Sequence, residues 1–114
     1  MKQIKDIQMS KEGKVVVKRL ERAPLKAYLL LSIYARREAD PREKRLKSTL
    51  RGLFTENTLN KLPRNPVAIG VAVNSVNSVV QALGSNPAIG GRDEIIKRAV
   101  GFKTLLTQPP NNSC

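Results

Sequence analysis

Seven basic side chains lie within a stretch of sixteen residues, and their charge is the clearest chemical feature of the sequence. The group comprises Arg36, Arg37, Arg42, Lys44, Arg45, Lys47 and Arg51. Ammonium and guanidinium groups along one helix can each neutralise a phosphate and release its counterion, an interaction that needs no recognition of bases. The cluster therefore predicts contact with the phosphate backbone of DNA or RNA, with Lys14, Lys18 and Arg19 assisting.

The charge of the whole chain also favours a polyanionic partner. The formal net charge is +12; residues 1–64 carry 17 basic and 7 acidic side chains, whereas residues 65–114 carry 4 and 2. Such an excess of positive charge attracts nucleic acid first, anionic lipid second and acidic proteins third. Residues 1–10 lack the unbroken apolar stretch of a secretory signal, so we expect a cytoplasmic, nucleoid or nuclear protein.

Two other interpretations of the basic cluster stay open. It could be an ordinary solvated helix face, because Glu38 and Glu43 lie near enough in sequence to pair with its cations. It could instead bind an anionic membrane, as matrix-like proteins do, although the sequence offers no lipid anchor as a second attachment signal. Affinity for acidic vesicles would separate the membrane hypothesis from the nucleic-acid hypothesis.

Side chains suited to catalysis are scarce. The sequence has no histidine, and its one cysteine is Cys114, which removes the usual general base and the commonest metal ligands. Asp40 and Glu43 have structural roles as helix-capping residues, so a magnesium site is disfavoured. The glycine-rich run 84–92 lacks the Gly-Lys-Ser/Thr ending of a nucleotide-binding loop. We therefore predict a binding protein that is not an enzyme and has no cofactor and no metal site.

Aromatic side chains are also few, and each falls on a predicted apolar stripe. They are Tyr28, Tyr34, Phe54 and Phe102. Proteins that bind single strands commonly stack bases on exposed rings. The sequence therefore favours a duplex or a structured RNA as the ligand.

The helix that must carry the basic cluster has a well-marked beginning. Asp40 suits the N-cap, Pro41 the first helical position and Glu43 the third, where its carboxylate could return to the cap amide. The helix is expected to continue to Phe54 with one buried stripe, and a short helical turn at 56–61 should follow. The stripe comprises Leu46, Leu50, Leu53 and Phe54.

Upstream of this helix, the sequence predicts a basic hairpin and a buried helix. Ile4–Met9 and Val15–Leu20 resemble two strands joined at Gly13, and the alternative is a basic arm that orders on binding. Pro24 suits the first turn of a helix that is apolar on almost every side.

Residues 65–91 contain no charged side chain. Asn65 and Pro66 are expected to begin a helix that Gly84 ends, with an apolar stripe at heptad-like spacing. The stripe comprises Ile69, Val73, Val76, Val80 and Leu83. A membrane span and a pair of strands are the alternatives, and we predict no integral membrane segment because asparagine, serine and glutamine interrupt the run. Homodimerisation through residues 66–83 is a further hypothesis. The alternative function is a protein-interaction or assembly module, for example a small viral or mobile-element accessory factor, that uses residues 65–91 as its contact surface.

Part of this segment resembles the turn and recognition helix of helix-turn-helix regulators of the lactose-repressor type. The resemblance covers residues 70–81, and it implies base-edge or phosphate contacts by a set of polar side chains. That set is Asn74, Ser75, Asn77, Ser78 and Gln81. Pro63 and Pro66 leave too little room for a full first helix, and the supposed recognition helix contains no arginine or lysine.

The last helix is expected to begin near Arg92 or Asp93 and to bury a single stripe. Its stripe comprises Ile95, Ala99, Phe102 and Leu106. Together, these elements predict a mainly α protein, a small single-domain bundle of about four helices with an N-terminal basic β-hairpin or arm. The predicted divisions are a hairpin or arm at 1–22, a helical domain at 23–107 and a flexible tail at 108–114.

Overall fold

A computed structural model describes residues 10–37 and 39–108 of the chain. Its helices, numbered in chain order, are α1 (Lys11–Arg36), α2 (Arg42–Leu53), α3 (Glu56–Lys61), α4 (Pro66–Gly84) and α5 (Arg92–Thr107). The described residues contain no strand. The prediction of a mainly helical protein is therefore confirmed, and the predicted hairpin is not.

The hairpin fails because its second strand is part of α1. Val15–Leu20 is helical, and the helix begins where the Ser10 hydroxyl accepts a hydrogen bond of 3.0 Å from the Gly13 N–H. The residues that this half of α1 buries are spaced three and four residues apart. They are Gly13, Val16, Leu20, Ala23 and Ala27. Their burial outweighs the preference of valine for extended structure. Ile4–Met9, the other predicted strand, lies outside the described residues.

The sequence predicted Pro24 in the first turn of a helix, but Pro24 lies in the interior of α1. Proline has no N–H, so the Leu20 carbonyl lacks its usual helical partner, and an interior proline costs a helix about 3 kcal/mol. The helix continues because α1 packs extensively against α4, and Leu20, Ala23 and Ala27, within one turn of Pro24, are fully buried. The predicted boundary between residues 22 and 23 consequently falls within one continuous helix.

The beginning and end of α4 agree with the sequence prediction, but its buried side is rotated. The Asn65 side chain accepts a hydrogen bond of 2.9 Å from the Ala68 N–H, Pro66 is the first helical residue, and Gly84 is the last. The buried residues are Ala68, Ala72, Ser75, Val76, Val79, Ala82 and Leu83. Ile69, Val73 and Val80 are only half-buried. Small side chains face the neighbouring helices because they allow the backbones to approach closely.

The helices surround a single apolar core. α1 packs against α2, α3 and α4, and α5 closes the bundle by packing against α2, α3 and α4. Phe54 and Phe102 join the end of α2 to α5, with ring centroids 5.6 Å apart in an edge-to-face arrangement. Such a pair contributes about 1 kcal/mol beyond the burial of its area.

α5 begins beside the end of α4. Gly91 has a φ of 80°, a left-handed conformation that lets the chain turn into α5. The Arg92 guanidinium donates to the carbonyls of Leu83 and Gly84, both at 3.0 Å. These two carbonyls at the end of α4 thus have a hydrogen-bond donor that the helix itself does not supply. The predicted stripe of α5 is buried in full.

Candidate nucleic-acid interface

α2 presents the predicted basic cluster because its apolar residues all lie on one side. Leu46, Leu50 and Leu53 are buried against the bundle. The helix begins at Arg42, one residue later than predicted, and the Asp40 carboxylate accepts a 2.8 Å hydrogen bond from the Arg42 N–H. Asp40 therefore satisfies an amide of the first turn, but the N-cap residue is Pro41, whereas the sequence predicted Asp40 in that position.

The outward side of α2 contains a wide hollow of about 650 Å³, open to solvent. Its lining residues are Pro41, Lys44, Arg45, Ser48 and Arg51. Three of the five are cationic, and none of these three forms an ion pair with an acidic residue in the described part of the chain. The hollow is thus a surface of uncompensated positive charge.

Asp40 links the end of α1 to the beginning of α2. Its carboxylate accepts hydrogen bonds from the side chains of Arg42, at 2.8 and 3.0 Å, and Arg36, at 3.3 Å. The hydrogen bonds from Arg42, with the positive charges of both guanidinium groups, lower the pKa of Asp40 from 3.8 to about 2. The junction therefore keeps one carboxylate ionised between two arginines.

Lys47 has a different environment from the other cations of α2. Its ammonium group donates to Glu43 at 2.9 Å and to the Tyr34 hydroxyl at 2.7 Å, and it lies 5.1 Å from the centre of the Tyr34 ring. Burial lowers the pKa of Lys47, but the hydrogen bonds to Tyr34 and Glu43 outweigh it and raise the pKa overall. Glu43 also accepts a hydrogen bond from the Tyr34 hydroxyl, which lowers the pKa of the carboxylate.

This network corrects the predicted role of Glu43. Its carboxylate does not return to the cap of its own helix but bonds to Lys47, one turn later, and to Tyr34 on α1. The sequence could indicate the Glu43–Lys47 pair by its four-residue spacing. Nothing in the local sequence indicates Tyr34, because that contact depends on how α1 and α2 pack.

The structure brings together part of the predicted interface and separates the rest. Arg36 and Arg37 end α1 beside the start of α2, so they adjoin the cations of that helix. Lys14, Lys18 and Arg19 are exposed near the other end of α1. At a rise of 1.5 Å per residue, the 22 residues from Lys14 to Arg36 span about 33 Å. The ten predicted residues therefore form two basic surfaces.

The second basic surface is larger than the sequence suggested. Exposed basic residues recur along α1 at spacings of three and four, which places them on one outward side. They are Lys11, Lys14, Lys18 and Arg22. The interpretation of Val15–Leu20 as a strand concealed Lys11 and Arg22, since the spacing is meaningful only on a helix.

An uncharged surface runs along α4. Its exposed residues recur at spacings of three and four, and we call them the α4 stripe: Val67, Gly70, Asn74, Asn77, Gln81 and Gly84. Asn77 accepts a hydrogen bond of 2.9 Å from the Lys103 ammonium group of α5. Residues 70–81 are one uninterrupted stretch of helix with Ser75 buried. The helix-turn-helix interpretation is therefore wrong.

Comparisons with other proteins and tests for metal or membrane features give little functional information. No protein-family model, curated protein or solved structure matches this chain. Among the described residues, no group of three or more histidine, cysteine, aspartate or glutamate side chains could hold a metal ion. α4 is long and apolar enough to cross a membrane, a property that it shares with core helices of soluble proteins.

Proposed function

We propose that this protein binds the phosphate backbone of duplex DNA or structured RNA through the outward side of α2 and the adjoining end of α1. One observation carries the proposal: Lys44, Arg45 and Arg51 line one open hollow without an acidic partner in the described chain. Cations in this state can each take a phosphate without first breaking an ion pair.

Two acidic residues nearby support this function because other cations already engage them. Asp40 bonds to Arg36 and Arg42, and Glu43 bonds to Lys47. Residues 36–51 carry seven basic and three acidic side chains, so they have a net charge of +4. The alternative is a solvated face neutralised by local ion pairs. It accounts for the cations that Asp40 and Glu43 engage, but not for the three that line the hollow.

The proposal is tested by reversing two charges on the outward side of α2. Lys44→Glu combined with Arg45→Glu should weaken binding to a labelled duplex or hairpin RNA by about tenfold or more. The slope of log affinity against log salt concentration should fall by about 2. Fluorescence anisotropy across a salt series measures both quantities.

The matched control is Lys61→Glu combined with Lys97→Glu, two exposed lysines on α3 and α5. This variant changes the net charge by the same amount but leaves α2 intact. It should bind with an affinity close to that of the unaltered protein. Equal losses in the two variants would mean that only net charge matters and would contradict an interface on α2.

A second candidate function is assembly through the α4 stripe, with a second copy of the chain as the partner. The stripe residues are uncharged on a protein of net charge +12, so the stripe itself brings no like charges into contact between two copies, and the neighbouring Lys103 ammonium group is bonded to Asn77. Its spacing is that of paired helices, and asparagine and glutamine amides both donate and accept, so the same side chains can pair across a two-fold axis.

A further inference from the structure

A groove separates α2 from the turn that precedes α5. Its volume is about 550 Å³. One wall contains Lys44, Lys47 and Arg51, which lie three and four residues apart and therefore point to the same side of α2. The other wall is formed by Gly90 and Gly91, which have no side chains to block the entrance. Asp40, Pro41 and Glu43 complete the lining.

Lys47 is a fixed cation within this groove. Its side chain is 14% exposed and is held by Glu43 and Tyr34. Its ammonium nitrogen would lie 3.8 Å from a Cβ atom placed on Gly90, so it adjoins the glycine wall. Lysine side chains usually lose rotamer freedom when they bind a phosphate, and Lys47 has already lost much of it.

Lys44 and Arg51 supply positive charge that the groove itself does not neutralise. Asp40 and Glu43 also line it, but Arg36 and Arg42 bond to the first and Lys47 to the second. Lys44 and Arg51 form no ion pair with a described residue. They line both the groove and the outward hollow of α2, so a strand that follows the hollow passes the groove.

We propose that the groove binds one phosphoryl group, with Lys47 as its fixed anchor and with Lys44 and Arg51 closing over the other oxygens. This inference rests on the proposed function, since it takes the phosphoryl group to belong to a nucleic-acid backbone. Free polyphosphate offers the same chemistry, and the experiment separates the two sources. A phosphate in the groove would thereby have a more fixed position than phosphates that contact the rest of the basic surface.

The decisive variant places a carboxylate in the groove from its glycine wall, without changing α2. Gly90 is exposed and its backbone lies outside the left-handed region, so Gly90→Glu fits there without backbone strain. Its carboxylate would occupy the anion site beside Lys47. Binding to the duplex should weaken about tenfold, whereas Gly90→Gln, of the same size and uncharged, should lose about threefold at most. Gly101→Glu, on the exposed side of α5 with open space around it, should bind almost normally.

One outcome is that Gly90→Glu binds the duplex normally while the variant with Lys44→Glu and Arg45→Glu loses binding. This result would overturn the groove site but would still support the proposed function. If the unaltered protein bound no nucleic acid, the proposed function would fail, and titration with tripolyphosphate would decide the groove. Tripolyphosphate-induced changes in the amide NMR shifts of Gly90 and Gly91 in the unaltered protein, with no such change at Gly91 in Gly90→Glu, would then support a phosphoryl site for free polyphosphate. The absence of such shifts would overturn it.

Discussion

Two carboxylates hold three cations of the basic cluster in fixed positions. Asp40 engages Arg36 and Arg42, and Glu43 engages Lys47. Partly exposed pairs of this kind contribute little to stability on their own. Their larger effect is on geometry, because they hold three cations in place, whereas Lys44, Arg45 and Arg51 form no ion pair with a described residue.

The Tyr34 hydroxyl should contribute to stability through the hydrogen bonds that join α1 to α2. Tyr34→Phe removes its bonds to Glu43 and Lys47, and we expect the free energy of unfolding to fall by about 1 kcal/mol. Urea denaturation near neutral pH measures the change. Tyr28→Phe is the control, because Tyr28 is 50% exposed; a similar loss in both variants would argue against the network.

Asp40 predicts a pH dependence at the α1–α2 junction. Its pKa is lowered from 3.8 to about 2, mainly by the hydrogen bond from Arg42. Because the pKa is lower in the folded state, the stabilisation is complete above pH 4 and is lost as the pH falls towards 2. The ¹³C signal of the Asp40 carboxyl group should titrate near pH 2, and in Arg42→Gln its midpoint should move up towards 3.8. An unchanged midpoint would exclude Arg42 as the cause.

At the scale of the elements, one glycine fixes how the start of α1 meets the connection between α3 and α4. A Cβ atom on Gly13 would lie 2.8 Å from Cγ and 3.2 Å from Cδ of Pro63. These are ring atoms with little freedom to move. The close approach ties the first turn of α1 to the residues just before α4.

The same substitution should therefore have opposite effects at two helical glycines. Gly13→Ala should lower the free energy of unfolding by about 1 to 3 kcal/mol, because the clash with Pro63 exceeds the gain in helix propensity. Gly101→Ala, which meets nothing within 4 Å, should raise it by about 0.5 to 1 kcal/mol. Thermal unfolding followed by circular dichroism compares the two, and stabilisation at both sites would disprove the tight contact.

The elements that the sequence predicts well are those whose ends are specified locally. Asn65 with Pro66 marks the start of α4 as expected, because a side-chain acceptor and a fixed φ act within three residues. The beginning of α1 is not predicted, since three consecutive valines favour a strand until packing against α4 outweighs them. Likewise, the buried side of α4 depends on the small size of its own side chains, such as Ala68 and Ala72, more than on their hydrophobicity.

In the candidate site too, features fixed by local sequence spacing are predictable, whereas contacts between distant parts of the chain are not. The basic side of α2 is predictable because the spacing of Leu46, Leu50 and Leu53 fixes which residues face solvent. The groove is not predictable, because Gly90 lies 43 residues from Lys47 along the chain and only the packing of α5 brings them together.

At the scale of the whole molecule, the α4 stripe predicts self-association. We expect a dimer in sedimentation experiments at concentrations on the order of 50 µM. High salt should not dissociate it, because uncharged contacts are little screened. Asn74→Glu combined with Gln81→Glu should give a monomer by repulsion across the two-fold axis, and Thr104→Glu, exposed on α5, should not. A monomeric unaltered protein would rule out this assembly.

The length of α1 matters for a duplex ligand. Its two basic ends are separated by about 33 Å, close to the 34–36 Å of one turn of B-DNA. A duplex presents the same strand to the same side once per turn, so a rod of this length can touch it at both ends. Under the proposed function, a duplex fragment shorter than one turn would reach only one end of α1. The protein would then distinguish duplexes by their length without contacting bases.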